Sequence, residues 1–171
     1  MSVDLIKRSD VPVKDTWDLT TIFESDEAWE TAFEEVEKAY GAVSKYEGHI
    51  LDSPQSLLEL LKFDEDITYK TSHLYVYSHL HSDTDVSDSK YLGMQARAIA
   101  LATKIDSLFS FIIPEILAAD ENLVRGYLEE LEELRVYEHF FNRIFAKRPY
   151  TLNPKEESIL AKLGLQRDIS L

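Results

Sequence analysis

The side chains best suited to hold a metal ion are five histidines, His49, His73, His79, His81 and His139, because neutral imidazole is a ready ligand near neutral pH. A water-activating metal site on a helix needs two histidines one turn apart, in the order H-E-x-x-H. Both then point the same way, and the glutamate takes the proton from the bound water. No histidine of the 171 residues is followed by glutamate, and no two are separated by four positions. His79 and His81 lie two apart, which sends them to opposite sides of a helix and to the same side of an extended segment. With His73, Asp83 and Asp85 they would gather as ligands only if the chain unwound there, so a polar helix end is the preferred reading. Asp83-Thr84-Asp85 opens like a calcium loop, but Asp88 stands where the tight turn demands glycine and Met94 where a bidentate glutamate belongs.

Other chemistries find no purchase. Cysteine is absent, which removes thiolate ligands, a thiol nucleophile and disulfides, and suits a reducing compartment. No Gly-x-Ser-x-Gly turn and no glycine-rich phosphate loop occur. The residues therefore show no catalytic or phosphate-binding motif of these kinds. Glu129-Glu130 and Glu132-Glu133 alternate with Leu128, Leu131 and Leu134, as the wet face of a core helix does. Tyr69, Tyr75, Tyr77 and Tyr91 could line a peptide groove, although core packing at helical spacing is the commoner use of such residues.

Composition narrows the partners. Lys+Arg 18 against Asp+Glu 32 gives a net charge of -14, which repels a phosphate backbone and an anionic membrane surface. Neither nucleic acid nor a membrane is an expected partner. Met1 to Asp10 shows no apolar stretch with a cleavage site, and the longest apolar run, Leu108 to Leu117, is interrupted by Ser110, Pro114 and Glu115. The cytoplasm is the expected compartment.

The elements that would position these residues are helical throughout. Residues 1–23 read as an extended arm docked through Val11, Val13, Trp17, Leu19, Ile22 and Phe23, with Asp18 capping one short turn. From Asp26, the steps Trp29, Phe33, Val36, Tyr40 and Val43 form one helical stripe that Gly48 should stop. Ser53-Pro54 opens a helix reaching about His81, with Leu60, Phe63, Ile67, Leu74 and Ser78 on one face, widened by Tyr69, Val76 and Leu80. A third helix from about Ser87 carries Leu92, Ala96, Ile99, Ala102, Ile105, Leu108 and Ile112, with further apolar residues around it, which predicts a centrally buried helix. Pro114 starts a new helix with Glu115 in its first turn. Asp120 caps another through Leu123, Tyr127, Leu128 and Leu131, and the pattern resumes from Tyr137 to Phe145. Asn153-Pro154 begins a short last helix, with Glu156 closing a capping box and Gly164 as its C-cap. The expected fold is all-α, an antiparallel bundle of about five to seven helices, divided as arm 1–23, helical domain 24–164 and an unassigned tail 165–171.

Several cassettes, taken in order, carry a resemblance. They are Arg8-Ser9-Asp10-Val11-Pro12, Thr16-Trp17-Asp18-Leu19, the acidic helix with Trp29, Leu74-Tyr75-Val76-Tyr77-Ser78, Ser82-Asp83-Thr84-Asp85, Ile113-Pro114-Glu115-Ile116-Leu117, and Arg148-Pro149-Tyr150-Thr151-Leu152 followed by Glu156-Glu157 and Ile159-Leu160-Ala161. From about Arg8 to Gly164 the chain resembles the N-terminal region of oligoendopeptidase F, of the thimet-oligopeptidase-like zinc metallopeptidases. Tyr150 departs from the family, whose members often have histidine there. The resemblance implies a helical lid over a channel that admits short peptides. It also implies a C-terminal catalytic domain holding zinc on two histidines and a glutamate, with another glutamate as base. That domain's motif is not in this sequence, so no catalytic, cofactor-binding or metal-ligating residue is carried over, and the expectation is an engineered fragment, a truncated gene product or a frame-shifted end, inert alone, whose partners are the missing catalytic domain and, for the complete enzyme, short peptides. The rival readings are a stand-alone acidic helical module that binds a basic protein and a small metalloenzyme built on His73, His79 and His81. A large apolar face left uncovered would favour the lid.

Overall fold

The computed structural model describes residues 10–150, and among them the regular structure is helical: six α-helices with short 3-10 segments between them. The expected all-α class holds. The chain divides into two compact units, with the division between Ile112 and Ile113. The Arg8-Ser9 pair, the short helix expected at Asn153-Pro154 with Glu156 and Gly164, and the tail 165–171 lie outside the described residues.

In the first unit, the segment before the first helix is not the extended arm that Pro12 suggests. It folds into two 3-10 turns, Val13–Asp15 and Leu19–Thr21, because local side-chain and backbone acceptors close them. Asp18 caps the second turn as expected, accepting from the Thr20 amide at 3.1 Å and its hydroxyl at 2.6 Å. Phe23 packs edge-on against Tyr77 at 5.5 Å. Trp17, expected to dock, is instead 85% exposed.

Helix α1 (Asp26–Ala39) is capped by Ser25, whose hydroxyl accepts from the Ala28 amide at 3.3 Å, and Asp26 and Glu27 sit at its positive end. It tightens into a 3-10 segment, Tyr40–Tyr46. Trp29, Phe33, Val36 and Val43 are buried along the expected stripe. The turn that follows places Gly48 at φ +79°, a left-handed conformation that a side chain would strain. Helix α2 (Pro54–Thr84) starts as the sequence predicts, Ser53 Oγ accepting from the Ser56 amide at 3.0 Å and Pro54 filling the first position. It buries Leu60, Ile67, Leu74 and Ser78, but Tyr69 and Val76, expected to widen that face, are exposed.

Helix α3 (Ser89–Phe109) opens on Asp88, which accepts from the Lys90 amide at 2.9 Å. Its buried line is Met94, Ala98, Leu101, Ile105 and Phe109. The expectation of burial on all sides is wrong: Leu92 is 44% and Ile99 49% exposed. The reason is geometric, since α2 and the segment after α1 pack on one side of α3, and Leu92, Ala96 and Ile99 step by four and three along another. Each fully buried large side chain of this core is worth roughly 1.5–3 kcal/mol against exposure.

The second unit has shorter pieces. Helix α4 (Ile112–Ala118) carries Pro114 and Glu115 in its first turn, where a missing N–H is harmless. Asp120 caps α5 (Glu121–Glu130), accepting from the Asn122 amide at 2.9 Å. The helix stops at Leu131, whose backbone is extended, and a 3-10 run, Glu132–Tyr137, leads into α6 (Glu138–Lys147). Val124, Leu128, Leu134, Phe141, Ile144 and Phe145 are buried, whereas Leu123, assigned by periodicity to that face, is exposed. Arg148 donates to the Ala119 carbonyl at 2.7 Å with its guanidinium over the Phe145 ring. Among the described residues no helix is long and apolar enough to cross a membrane.

Candidate functional site

Helix α2 runs unbroken through the histidines, which decides their roles. His73 sits against the Tyr69 ring at 4.1 Å and donates from Nδ1 to the Tyr69 carbonyl at 2.9 Å. His79 stacks on Tyr75 at 5.2 Å. Its Nδ1 faces the Gln95 amide nitrogen at 2.9 Å, while Gln95 Oε1 accepts from Ser82 at 3.1 Å. That chain of donors makes Nδ1 the acceptor and leaves the proton on Nε2, 3.5 Å from Asp83. His81 lies flat on Tyr91 at 4.2 Å and edge-on to Tyr77 at 4.5 Å. Each of the three is thus paired with the tyrosine four positions before it, a repeated spacing that was visible in the sequence. The histidines, Asp83 and Asp85 are not brought together as a ligand set. Among the described residues no cluster of three or more His, Asp or Glu side chains could hold a metal ion.

What the fold does bring together is a polar node at the start of α1. Asp26 accepts from the hydroxyls of Tyr77 at 2.8 Å and Tyr91 at 3.3 Å, and it forms an ion pair with Lys90. One turn later Glu30 takes a two-pronged contact from Arg97 at 2.6 and 2.7 Å. The Arg97 guanidinium lies over Phe33 at 4.3 Å and Trp29 at 5.1 Å. Beneath them the Trp29 indole donates to the Leu74 carbonyl at 2.8 Å.

The electrostatics agree. Partial burial on its own would raise the Asp26 carboxyl, but hydrogen bonds from Lys90 and Tyr77, the Lys90 charge and the Tyr91 hydroxyl outweigh it and hold the group below its ordinary value. Burial and the bond to Asp26 push the Tyr77 phenol up. The cleft over this node, about 410 Å³ bordered by Glu27, Gly93 and Met94 among others, has its principal charges paired with each other. Its chemistry is that of a clamp joining α1 to α2 and α3. Sequence periodicity missed it because the partners lie 51 to 67 positions apart. Glu129, Glu130, Glu132 and Glu133 are exposed to solvent, in keeping with a wet face.

Comparison with known proteins places this arrangement. Residues 115–167 match the family described as Oligopeptidase F. Group B oligopeptidase PepB of Streptococcus agalactiae is 41% identical over 90% of this chain, and oligopeptidase PepF of Bacillus subtilis is 38% identical over 91%. The chain spans about a quarter of these relatives, 26% and 23% of their lengths. Among solved structures, oligoendopeptidase F of Enterococcus faecium superposes with a TM-score of 0.68 at 28% identity, covering 82% of this chain and 28% of that one. A chain from Chlamydophila abortus, provisionally assigned as a peptidase, reaches 0.81 at 27% identity, covering 95% of this chain and 27% of its own. In sequence and in fold the chain belongs with the N-terminal region of the oligoendopeptidase F family.

Proposed function

We propose that this chain is the helical cover of a peptide-hydrolysing enzyme, with residues 24–164 shaping and closing a channel for short peptides and residues 1–23 docked against them. The tail 165–171 is left unassigned. The observation that supports the reading is the exposed line of Leu92, Ala96 and Ile99 on α3, apolar side chains that a further domain would cover. Cleavage itself would be performed by a catalytic domain supplied from the remaining three-quarters of a protein of the relatives' length, and zinc is assigned to that domain. Among the described residues no group of three or more His, Asp or Glu side chains could hold such an ion, and His73, His79 and His81 do not converge on one point. The proposed compartment is the cytoplasm.

The test is a cleavage assay on blocked oligopeptides with the purified 171-residue chain and added zinc. No turnover is expected, and turnover abolished by a chelator would overturn the reading.

A further inference from the structure

A second cleft, of about 410 Å³, lies between the segment before α1 and helix α2, bounded by Trp17, Asp18, Leu19, Thr20, Tyr77 and His81. Three properties of its walls bear on what could occupy it. Trp17 presents most of its indole to solvent at the rim, a position where a large aromatic ring gains nothing from the core of this unit. Asp18 supplies a fixed carboxylate: the Thr20 hydroxyl and amide both bind Oδ1, which orients the group, holds it below its ordinary pKa, and leaves the lone pairs of Oδ2 unspent on that turn. No lysine or arginine lines the cleft among the described residues.

The same unit shows what such a set of groups is good for. At Arg97 a guanidinium lies over the Trp29 and Phe33 rings while its N–H groups grip the Glu30 carboxylate. The cleft repeats those parts, an indole face and a carboxylate on adjacent residues, with the Tyr77 and His81 rings behind them and no lysine or arginine on its walls among the described residues. From this charge and ring complementarity we infer that the cleft takes the arginine side chain of a peptide, its guanidinium stacked on Trp17 and paired with Asp18. The chain's net charge of -14 draws such a peptide in. Lysine fits less well, since its ammonium is a compact, strongly hydrated point charge that neither stacks nor forks. An apolar side chain would cover the indole and strip water from an unpaired carboxylate. This site stands apart from the covering role proposed above and is tested without reference to cleavage.

The experiment is an NMR titration of the full chain with acetyl-Gly-Arg-Gly-amide, following the two indole N–H signals. Trp29, buried and bonded to Leu74, serves as an internal reference. The Trp17 signal is expected to move saturably while that of Trp29 stays, and the peptide with citrulline in place of arginine should bind at least about fivefold more weakly. D18N retains a capping side chain but loses the charge, so it should weaken binding about two- to fivefold. W17A, read by anisotropy of a labelled peptide, should weaken it by a similar two- to fivefold factor, the scale of an exposed cation-ring contact. Both substitutions lie at exposed positions, so folding is not at issue. An unmoved Trp17 signal, equal binding of the citrulline peptide, or unchanged affinity in either variant overturns the proposal.

Discussion

In the first unit the bonds that fix the helices reach far along the chain, from Trp29 to Leu74, from Asp26 to Tyr77, Lys90 and Tyr91, and from Glu30 to Arg97, spanning 45 to 67 positions. In the second unit Arg148 reaches back 29 positions to the Ala119 carbonyl and Arg135 seven to that of Leu128, both ending on backbone carbonyls near helix ends. The contrast follows from element length. A helix of 31 residues such as α2 offers many registers in which apolar residues could meet a neighbour, and directional contacts select one. Helices of 7 to 10 residues have fewer alternatives, and caps plus a few buried rings suffice.

The harshest way to break the first unit is at Trp29, which is fully buried and supplies both the rings' stack and the bond to Leu74. W29A is expected to cost about 3–5 kcal/mol in urea denaturation. A loss under about 1 kcal/mol would show that the polar clamp, and not this core, holds α1. In the second unit L134A removes a fully buried side chain at roughly 2–4 kcal/mol, and hydrogen exchange should locate the loosened amides within residues 113–150.

D26N leaves the shape and removes the charge, for about 1–2 kcal/mol, because hydrogen bonds to a charged acceptor are lost or weakened. The sign of its pH dependence follows from the depressed pKa. The stabilisation from Asp26 is present above the ordinary carboxylate value, 3.8, and is lost as pH falls through the lower folded value. The stability gap between the native chain and D26N should therefore close in acid, measured by thermal melts from pH 7 downward. The smallest effect belongs to R97K, which keeps the charge but gives up the fork and the stacking, for about 0.5–1 kcal/mol on this half-exposed pair.

Helix starts were the most legible feature of the sequence. Ser53-Pro54 and Asp120 declare themselves because a cap acts within three residues of its own position. The buried stripes of α1 and α2 were equally readable from periodicity. The face of α3 was not, because residues at helical spacing on either side of it are apolar, and only the placement of its neighbours decides that Met94 and Leu101 turn inward while Leu92 and Ile99 do not. Trp17 was misread for a related reason, since hydrophobicity states a preference for burial and cannot supply the partner. Of the candidate site, Asp26 was visible only as an acid at a helix start; its three donors come from helices that no local pattern ties to it.

The central claim is that these helices cover the channel of a peptidase whose chemistry lies elsewhere in the polypeptide. The direct measurement is to exchange the matched quarter of the Streptococcus agalactiae relative for this chain and assay cleavage of a short peptide, with and without the pair L92E and I99E. The account predicts that the hybrid cleaves and that the charged pair abolishes cleavage while the isolated variant chain stays folded. A folded hybrid without activity, or one indifferent to charges on that stripe, would contradict it.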